Sequence, residues 1–254
     1  MTSAPDRGDH RTAIVESASH LLRDGGPAAV TTRAVAEAAG VQPPAIYRLF
    51  GDKDGLLEAV AEHVTAAHAA AKAEVVRGAA AADVDPVDDL RAGWRAQFEF
   101  GLANPSVFLL LSHPERAHRS PAARRGLDVL RARVHRLAAA GRLRVGEARA
   151  VALVHAAGTG TVLTLLAAPA GERDPALAED ALEAVLRQVL ADAPADDGAD
   201  SGAGGGAGGG AGGGPDAVTT AAVALRAAAP GLAALTAGER HLLGEWLDRV
   251  VDAR

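Results

Sequence analysis

Three polar side chains between residues 33 and 48 are of the types that contact DNA bases. Arg48 can pair bidentately with guanine and Gln42 with adenine, whereas Arg33 can either contact a base or hold a phosphate. Contacts of this kind require a rigid element that carries the side chains into the major groove. The surrounding sequence must therefore supply a short helix with an apolar inner face and a polar outer face.

The segment 31–53 has the pattern of two short helices joined by a glycine turn. The first predicted helix, about residues 32–39, carries small apolar residues at helical spacing. Gly40 stands where the end of a helix needs a residue that tolerates positive φ. The second predicted helix begins at Pro43, because the amide that proline lacks would be unbonded in the first turn anyway.

The second predicted helix has two different faces. Ile46 and Phe50 are four residues apart and therefore share the face that packs inward. The outer positions are Gln42, Ala45, Arg48 and Leu49, with Tyr47 at their edge. This arrangement, set across a glycine turn, is the layout of a DNA recognition helix.

Residues 11–64 resemble the N-terminal domain of TetR-family transcriptional regulators, in the motifs TTR at 31–33, AGV at 39–41, IYRLF at 46–50 and DKDGLL at 52–57. The resemblance implies that Thr32, Tyr47 and Lys53 contact phosphates, which set register rather than sequence preference. The chain departs from the family pattern at two positions. Pro43 stands where relatives often have a polar base contact, and Gln42 where a capping serine is frequent, so the set of base-contacting residues stays open.

Length and composition predict an all-α protein with more than one domain. The chain has 254 residues, many of them alanine, and only 3% aromatic residues. With the resemblance, this predicts a three-helix DNA-binding domain with a helix-turn-helix, followed by a larger helical ligand-binding and dimerisation domain. The predicted divisions are 9–51 for the DNA-binding domain, 52–193 for the effector and dimerisation domain, 194–215 for a flexible linker and 216–254 for a C-terminal helical segment.

The charge balance is unusual for a nucleic-acid-binding segment. The whole chain has a net charge of −6, and residues 1–60 contain six Lys and Arg against eight Asp and Glu. Specific binding needs only a local cationic face, which Arg33, Arg48 and Lys53 could form. We therefore expect modest non-specific DNA affinity and a shallow dependence on salt.

Two predicted helices flank the helix-turn-helix. The first, about residues 9–24, has one apolar stripe and supports the pair. The second begins after Asp52 and continues towards Gly78, and the resemblance implies that it connects the DNA-binding domain to the effector domain. Arg7 and Arg11, which precede the first apolar stripe, are interpreted as solvated charges of the N-terminal tail rather than DNA contacts.

The predicted effector domain contains most of the aromatic residues. Asp85 and Pro86 begin a helix with Trp94 and Phe98 on one face, a short helix covers 105–112, a polar loop follows at 113–120, and a helix with a basic outer face covers 121–140. These aromatic residues are interpreted as core. By analogy with the family, an apolar small-molecule effector would also contact Trp94, Phe98, Phe108, His155 and Leu166.

Two apolar helices are predicted at 146–168 and 175–191. The first carries glycines in its middle, and close approach of another helix would be a reason to tolerate them. The resemblance implies that this pair forms a four-helix bundle with a second subunit. Burial inside one subunit is the alternative.

The C-terminal part differs from the rest of the chain. The Gly/Ala-rich run at 194–215 lacks apolar residues to bury and is predicted to be a flexible coil. Helices are predicted at 217–229 and 236–251, the second with a capping box formed by Thr236 and Glu239. The last helix carries an apolar stripe that is expected to dock on the effector domain, at Leu242, Leu243, Trp246, Leu247 and Val250.

Other functional classes have little support in the sequence. Cysteine is absent, the first twelve residues lack the apolar core of a signal peptide, and no apolar run was found that reaches the ~18 residues of a membrane span. No HExxH, GxSxG or phosphate-loop motif occurs. The sequence therefore predicts a cytoplasmic, non-enzymatic protein with no catalytic residue, metal or cofactor.

The function predicted is a ligand-responsive regulator, more often a repressor, that binds a pseudo-palindromic double-stranded DNA operator as a homodimer. A small, mostly apolar effector would release it. The acidic DNA-binding segment leaves an alternative open, a dimeric helical ligand-binding or interaction module without sequence-specific DNA binding.

Overall fold

The computed structural model describes residues 7–76, 84–117, 119–191 and 215–253. Over these residues the secondary structure is α-helical, with two short 3₁₀ turns and one isolated β-bridge but no strand. The predicted all-α fold is therefore confirmed. The linker predicted at 194–215 lies outside the described residues except for Pro215.

Four helices form the N-terminal part: α1 (Arg7–Ala29), α2 (Thr32–Ala38), α3 (Pro43–Phe50) and α4 (Lys53–Val76). The regular conformation of α1 is interrupted at Gly26, whose φ of 67° lies in the left-handed region. The helix was predicted to end at this point. Asp52 begins α4 as predicted, because its carboxylate accepts a hydrogen bond from the Gly55 amide at 2.7 Å.

The part of the chain described after Val76 forms eight more helices: α5 (Pro86–Ala103), α6 (Pro105–Ser112), α7 (Pro114–Ala117), α8 (Pro121–Ala139), α9 (Glu147–Ala167), α10 (Leu177–Val189), α11 (Pro215–Ala228) and α12 (Ala237–Asp252). The loop predicted at 113–120 contains the short helix α7, which starts at a proline and carries Glu115 in its first turn. Both residues favour a helix start, so the prediction of a continuous loop was wrong here.

The chain divides into two compact units, with boundaries inside α5, α8 and α9. The first unit takes its described residues from Met1–Val84, Ala92–Val129 and Thr159–Pro175. The second takes them from Asp85–Arg91, Leu130–Gly158 and Ala176–Arg254. The domain divisions predicted from the sequence remain predictions.

The core of the first unit joins α1 to α4 with two later helices. Apart from Val162 of α9, its largest fully buried side chains come from the N-terminal helices and the turn before α2: Ile14, Leu22, Val30, Val35, Leu56 and Val60. Val107 and Leu110 of α6 and Ala122 of α8 belong to the same cluster. Helices α6 and α8 therefore pack on the helices that carry the helix-turn-helix.

Helices α5, α6 and α9 pack closely at a glycine of α5. A Cβ atom at Gly101 would lie 2.6 Å from Cγ1 of Val162 and 3.1 Å from Cδ2 of Phe108. Glycine is required here because a methyl group would displace side chains of α9 and α6. Gly160, one of the α9 glycines for which close packing was expected, has no atom of the described chain within 4 Å of such a Cβ.

The second unit contains the isolated bridge and the C-terminal hairpin. Leu143 pairs with Leu190, which joins the α8–α9 connection to the end of α10. Helices α11 and α12 pack on each other, and the Arg226 guanidinium is 2.9 Å from a carboxylate oxygen of Asp248. The predicted capping box of α12 is present, with both its backbone and side-chain hydrogen bonds.

The apolar stripe of α12 is only partly covered. Leu242, Trp246 and Val250 are exposed, with 53% of Trp246 accessible to solvent, whereas Leu243 and Leu247 are half-buried. Cγ1 of Val251 lies 3.1 Å from the position of a Cβ atom at Gly146. The expected docking of the whole stripe remains a prediction.

Helix α9 corrects the expectation that no segment is long and apolar enough to span a membrane. Its 21 residues have a window of mean hydropathy 1.7, so the helix is long and apolar enough to span a membrane by length and composition alone. Only 28% of that window is buried within the structure. A core helix of a soluble protein passes the same test, so the property is weak evidence for a membrane span.

Candidate nucleic-acid interface

The first helix of the pair begins and ends through local hydrogen bonds. The Thr31 hydroxyl accepts a hydrogen bond from the Ala34 amide at 3.1 Å and thereby caps α2. At the other end Gly40 adopts a φ of 64°, and the Val41 amide bonds the Ala36 carbonyl at 2.9 Å. The predicted glycine turn is confirmed, and its geometry sets where α3 begins.

Helix α3 presents its polar face to solvent. Gln42 precedes it as the N-cap residue, and its side chain makes no capping hydrogen bond, so the amide group is free to contact a ligand. Ile46 is buried as predicted, while Tyr47 is 55% exposed and Arg48 is also exposed. Pro43 is exposed and Ala45 half-buried.

Two predicted phosphate contacts lie next to each other. The Thr32 hydroxyl of α2 donates a long hydrogen bond of 3.4 Å to the phenol oxygen of Tyr47 in α3. The two residues are fifteen positions apart in sequence, and the glycine turn brings them together. Two neighbouring hydroxyl groups at an exposed helix–helix edge are suited to bind one phosphate oxygen.

The predicted base-contacting arginines are available for a partner. Arg33 and Arg48 are both exposed, and neither guanidinium forms a hydrogen bond or ion pair within the described parts of the chain. A guanidinium presents five N–H donors in a planar fork that matches guanine or phosphate. These two groups therefore keep their full hydrogen-bonding capacity for DNA.

Lys53 already has one internal partner. Its ammonium group donates a hydrogen bond to the Pro27 carbonyl at 3.1 Å, which ties the first residue of α4 to the turn at the end of α1. An ammonium carries three donors, so the predicted phosphate contact can coexist with this bond. The Pro27 carbonyl holds the side chain in place for such a contact.

Helices α3 and α4 are in direct backbone contact. A Cβ atom at Gly55 would collide with the Phe50 carbonyl oxygen, which ends α3. Gly51 between them has a φ of 79°, a second position that favours glycine. The recognition helix therefore rests against the first turn of α4.

Arg11 is a residue whose contact the sequence analysis missed. It was interpreted as a solvated tail charge, and it is exposed, but its guanidinium carbon lies 5.4 Å from the ring centroid of Phe50. This is a cation–π distance. An arginine three residues ahead of the first apolar stripe is the only sequence signal, and it does not identify the partner.

Several acidic residues of the N-terminal segment are engaged in contacts within the protein. The Asp52 carboxylate caps α4, Asp54 pairs with Arg116, and Glu58 accepts a hydrogen bond from Ser120 at 2.9 Å. These interactions account for three of the eight acids that made the segment appear unfavourable for DNA.

The residues predicted to bind an effector fall into two groups. Trp94, Phe98 and Phe108 are buried in the first unit, and the Trp94 and Phe98 rings are 5.2 Å apart. Leu166 is half-buried in the same unit. His155 belongs to the second unit and lies on the surface, where partial desolvation of its ring lowers its pKa.

One surface cavity is lined by none of these predicted effector contacts. It has a volume of about 270 Å³ and lies between α1, α4 and the residue before α6. Polar groups of Glu16, His20, Arg23, His63 and Asn104 line it. No three His, Cys, Asp or Glu side chains in the described ranges are arranged to hold a metal ion.

The comparison with protein families identifies the N-terminal segment. Residues 14–60 match the family described as bacterial regulatory proteins, tetR family. The match contains most of α1, all of α2 and α3 and the first turns of α4. It includes every residue predicted to contact DNA.

Two curated proteins are similar over part of their length. The chain is 48% identical over 52 residues to the Tetracycline repressor protein class C of Escherichia coli, covering 20% of this chain and 24% of that protein. It is 35% identical over 89 residues to the HTH-type transcriptional regulator BetI of Paraburkholderia phytofirmans, covering 35% and 44%. The chain thus matches less than half the length of either relative.

A solved structure matches over a larger part of the chain. A tetR family transcription regulator from Shewanella sp. PV-4 has a TM-score of 0.55 at 19% identity, covering 72% of this chain and 99% of that one. This likeness concerns the fold alone. Residues 14–60, which form the helix-turn-helix described above, thus match the N-terminal domain of the TetR family.

Proposed function

We propose that this chain is a cytoplasmic transcriptional repressor that binds a pseudo-palindromic operator as a homodimer and leaves it when a small apolar effector binds. The observation that carries the proposal is the exposed edge of α2 and α3. It combines two exposed guanidinium groups, those of Arg33 and Arg48, which have no partner among the described residues, with the adjacent hydroxyl groups of Thr32 and Tyr47. Arginines contact bases and hydroxyl groups contact phosphates in such interfaces.

The composition of α9 supports dimerisation through α9 and α10. A window of mean hydropathy 1.7 that is only 28% buried within one chain leaves apolar surface that a second copy would cover. Gly160 has open space around its Cα, which lets the backbone of a partner helix approach. Two recognition helices related by a two-fold axis would then occupy half-sites spaced by about one or more helical turns.

The aromatic residues of α5 and α6 support an apolar effector. Trp94, Phe98 and Phe108 supply a large apolar area in the first unit, and effector sites in helical domains are lined by such side chains. We propose Leu166, which belongs to the same unit, as a further contact. Release follows only if the effector binds the non-operator form more tightly than the operator form.

A fluorescence-anisotropy titration of the protein against DNA from its own upstream region tests the proposal. The Arg48→Ala and Tyr47→Ala variants are compared with wild type. Arg249→Ala is the matched control, because it removes the same charge from a well-exposed position of α12. We expect saturable, competitor-resistant binding that falls about tenfold or more in Arg48→Ala and is unchanged in the control.

Selection from random duplexes follows if no upstream fragment binds. If the folded protein selects no sequence there, the repressor proposal is rejected. The alternative function, a dimeric helical module without sequence-specific DNA binding, then remains. Equal losses in Arg48→Ala and in Arg249→Ala would show that binding depends on net charge alone, which contradicts a recognition helix at α3.

A further inference from the structure

One face of α4 carries three acids that all contact the segment containing α7 and the start of α8. Asp54, Glu58 and Glu62 are spaced by four residues and therefore lie in one row along the helix. Arg116 pairs with Asp54, and Arg125 donates to Glu62 at 3.1 Å. Between these pairs, Ser120 donates to Glu58 at 2.9 Å.

Glu58 is the centre of this row. One of its carboxylate oxygens accepts hydrogen bonds from both the Ser120 hydroxyl and, at 3.3 Å, the Ala122 amide. Ser120 is only 2% exposed, and its hydroxyl also accepts a hydrogen bond from the Ala123 amide at 3.1 Å. The Glu58 carboxylate therefore lies at the N-terminus of α8, where free amides and the helix dipole favour a negative charge.

The outer pairs have a different character. Asp54 and Arg125 are mostly exposed, so each ion pair adds little to stability. Their effect is geometric, since two fixed points on either side of Glu58 define both the position and the rotation of α4 against α8. The Glu58–Ser120 contact is the buried point of the row.

The same N-terminal end of α4 is also held against α3. The Phe50 carbonyl occupies the space that a side chain at Gly55 would need, and Lys53 bonds the Pro27 carbonyl. A rotation of α4 relative to α8 would consequently change the position of α3. None of the residues in the acidic row needs to touch DNA for this effect.

We propose that Glu58 and Ser120 are positioning residues for operator binding, because they fix α4 on the start of α8 and thereby orient α3. This inference rests on the proposed function. It also explains why residues 1–60 contain more acidic than basic residues. The acids of α4 are needed for the contact with α7 and the start of α8.

The test compares Glu58→Ala and Ser120→Ala with the conservative variant Glu58→Gln, which retains an oxygen that can accept both hydrogen bonds. Affinity is measured for the operator and for a non-specific duplex of equal length, well below the unfolding temperature. We expect operator affinity to fall about tenfold in the alanine variants, with less than about a twofold change for the non-specific duplex. Glu58→Gln should stay within about threefold of wild type.

A second arm uses exposed residues whose replacement leaves folding intact. Arg125→Glu and Glu62→Arg each place like charges opposite each other, whereas the double variant restores an ion pair with reversed polarity. We expect each single variant to lose operator affinity and the double variant to recover most of it. Recovery in the double variant would show that operator affinity depends on the contact between α4 and α8, because neither single replacement alone retains that ion pair.

The outcomes separate the two proposals. Operator affinity that is unchanged in Glu58→Ala and in the Arg125→Glu variant would overturn the positioning role, as would equal losses for operator and non-specific DNA. Absence of any operator binding by the wild type, with native hydrogen exchange in α3, would instead reject the proposed function. Faster exchange of the α3 amides in Glu58→Ala than in Glu58→Gln would support the structural link independently of DNA.

Discussion

The Thr32 hydroxyl and the Tyr47 phenol oxygen are 3.4 Å apart, although they belong to different helices. The glycine turn at Gly40 creates this proximity, because its positive φ reverses the chain between α2 and α3. At 3.4 Å the mutual hydrogen bond is weak. Both groups can therefore turn to a phosphate oxygen at little cost, which agrees with the phosphate contacts that we propose for them.

Tyr47→Phe tests this pair directly. The variant keeps the ring and removes one neutral hydroxyl, so operator affinity should fall by about 1 kcal/mol, or roughly fivefold. The slope of affinity against salt should not change, because no cation is lost. Anisotropy titrations at four salt concentrations measure both quantities.

Lys53→Ala provides the contrasting control for Tyr47→Phe. Removal of one phosphate-binding cation should reduce the salt slope by about 0.9. An unchanged operator affinity in Tyr47→Phe would show that the phenol oxygen does not contact DNA.

Gly160→Glu tests dimerisation through α9. The added carboxylate would enter the proposed interface and convert a dimer to a monomer at micromolar concentration, as seen by sedimentation velocity. Gly126→Glu is the matched control, since Gly126 is also an exposed helical glycine with open space around it. Both changes favour the helix locally by up to about 1 kcal/mol, so dissociation in one variant alone cannot result from unfolding. A dimer that survives in Gly160→Glu would place the interface elsewhere.

The contribution of His155 to the free energy of unfolding should depend on pH. Partial desolvation lowers its pKa below the ordinary value of 6.5, so the folded state binds this proton less readily than the unfolded state. Its contribution is therefore neutral above pH 6.5 and becomes destabilising as the pH falls through and below that value. Between pH 7.5 and pH 5.5, the free energy of unfolding measured in urea should fall less in His155→Gln than in wild type. Equal losses in the two proteins would contradict the prediction.

Thr236→Ala tests the cap of the last helix. The side chain and amide of Thr236 bond with Glu239, and removal of a cap of this kind costs about 1 kcal/mol. The same hydrogen bonds lower the pKa of Glu239, so the cap should weaken as acid protonates that carboxylate. Hydrogen exchange in the first turn of α12 should accelerate in Thr236→Ala and remain near wild type in Thr236→Ser. Unaltered exchange in the alanine variant would show that other contacts hold this turn.

The sequence predicted the features that depend on near neighbours. Asp52, Asp85 and Thr236 begin helices through hydrogen bonds that span two or three residues. Their side-chain types and spacing are visible in the sequence, and so is the positive φ at Gly40. The helix-turn-helix and the all-α class follow from such local rules.

Contacts between distant residues could not be predicted in the same way. The Arg11–Phe50 contact and the Lys53–Pro27 hydrogen bond each depend on how two helices cross. Close packing falls at Gly101 because Val162 and Phe108 meet there, whereas Gly160, a glycine of the same type, faces open space. Whether a helical glycine is needed for close packing can be decided only when the residues around it are known.

The contact between the Phe50 carbonyl and Gly55 limits how this protein can be rebuilt. Because that carbonyl fills the volume of a missing side chain, the recognition helix has no independent end at residue 50. A graft that changes operator preference must transfer residues 31–55 together. A shorter insert, joined to a host with a larger residue at the equivalent of Gly55, would displace the very helix that it was meant to transplant.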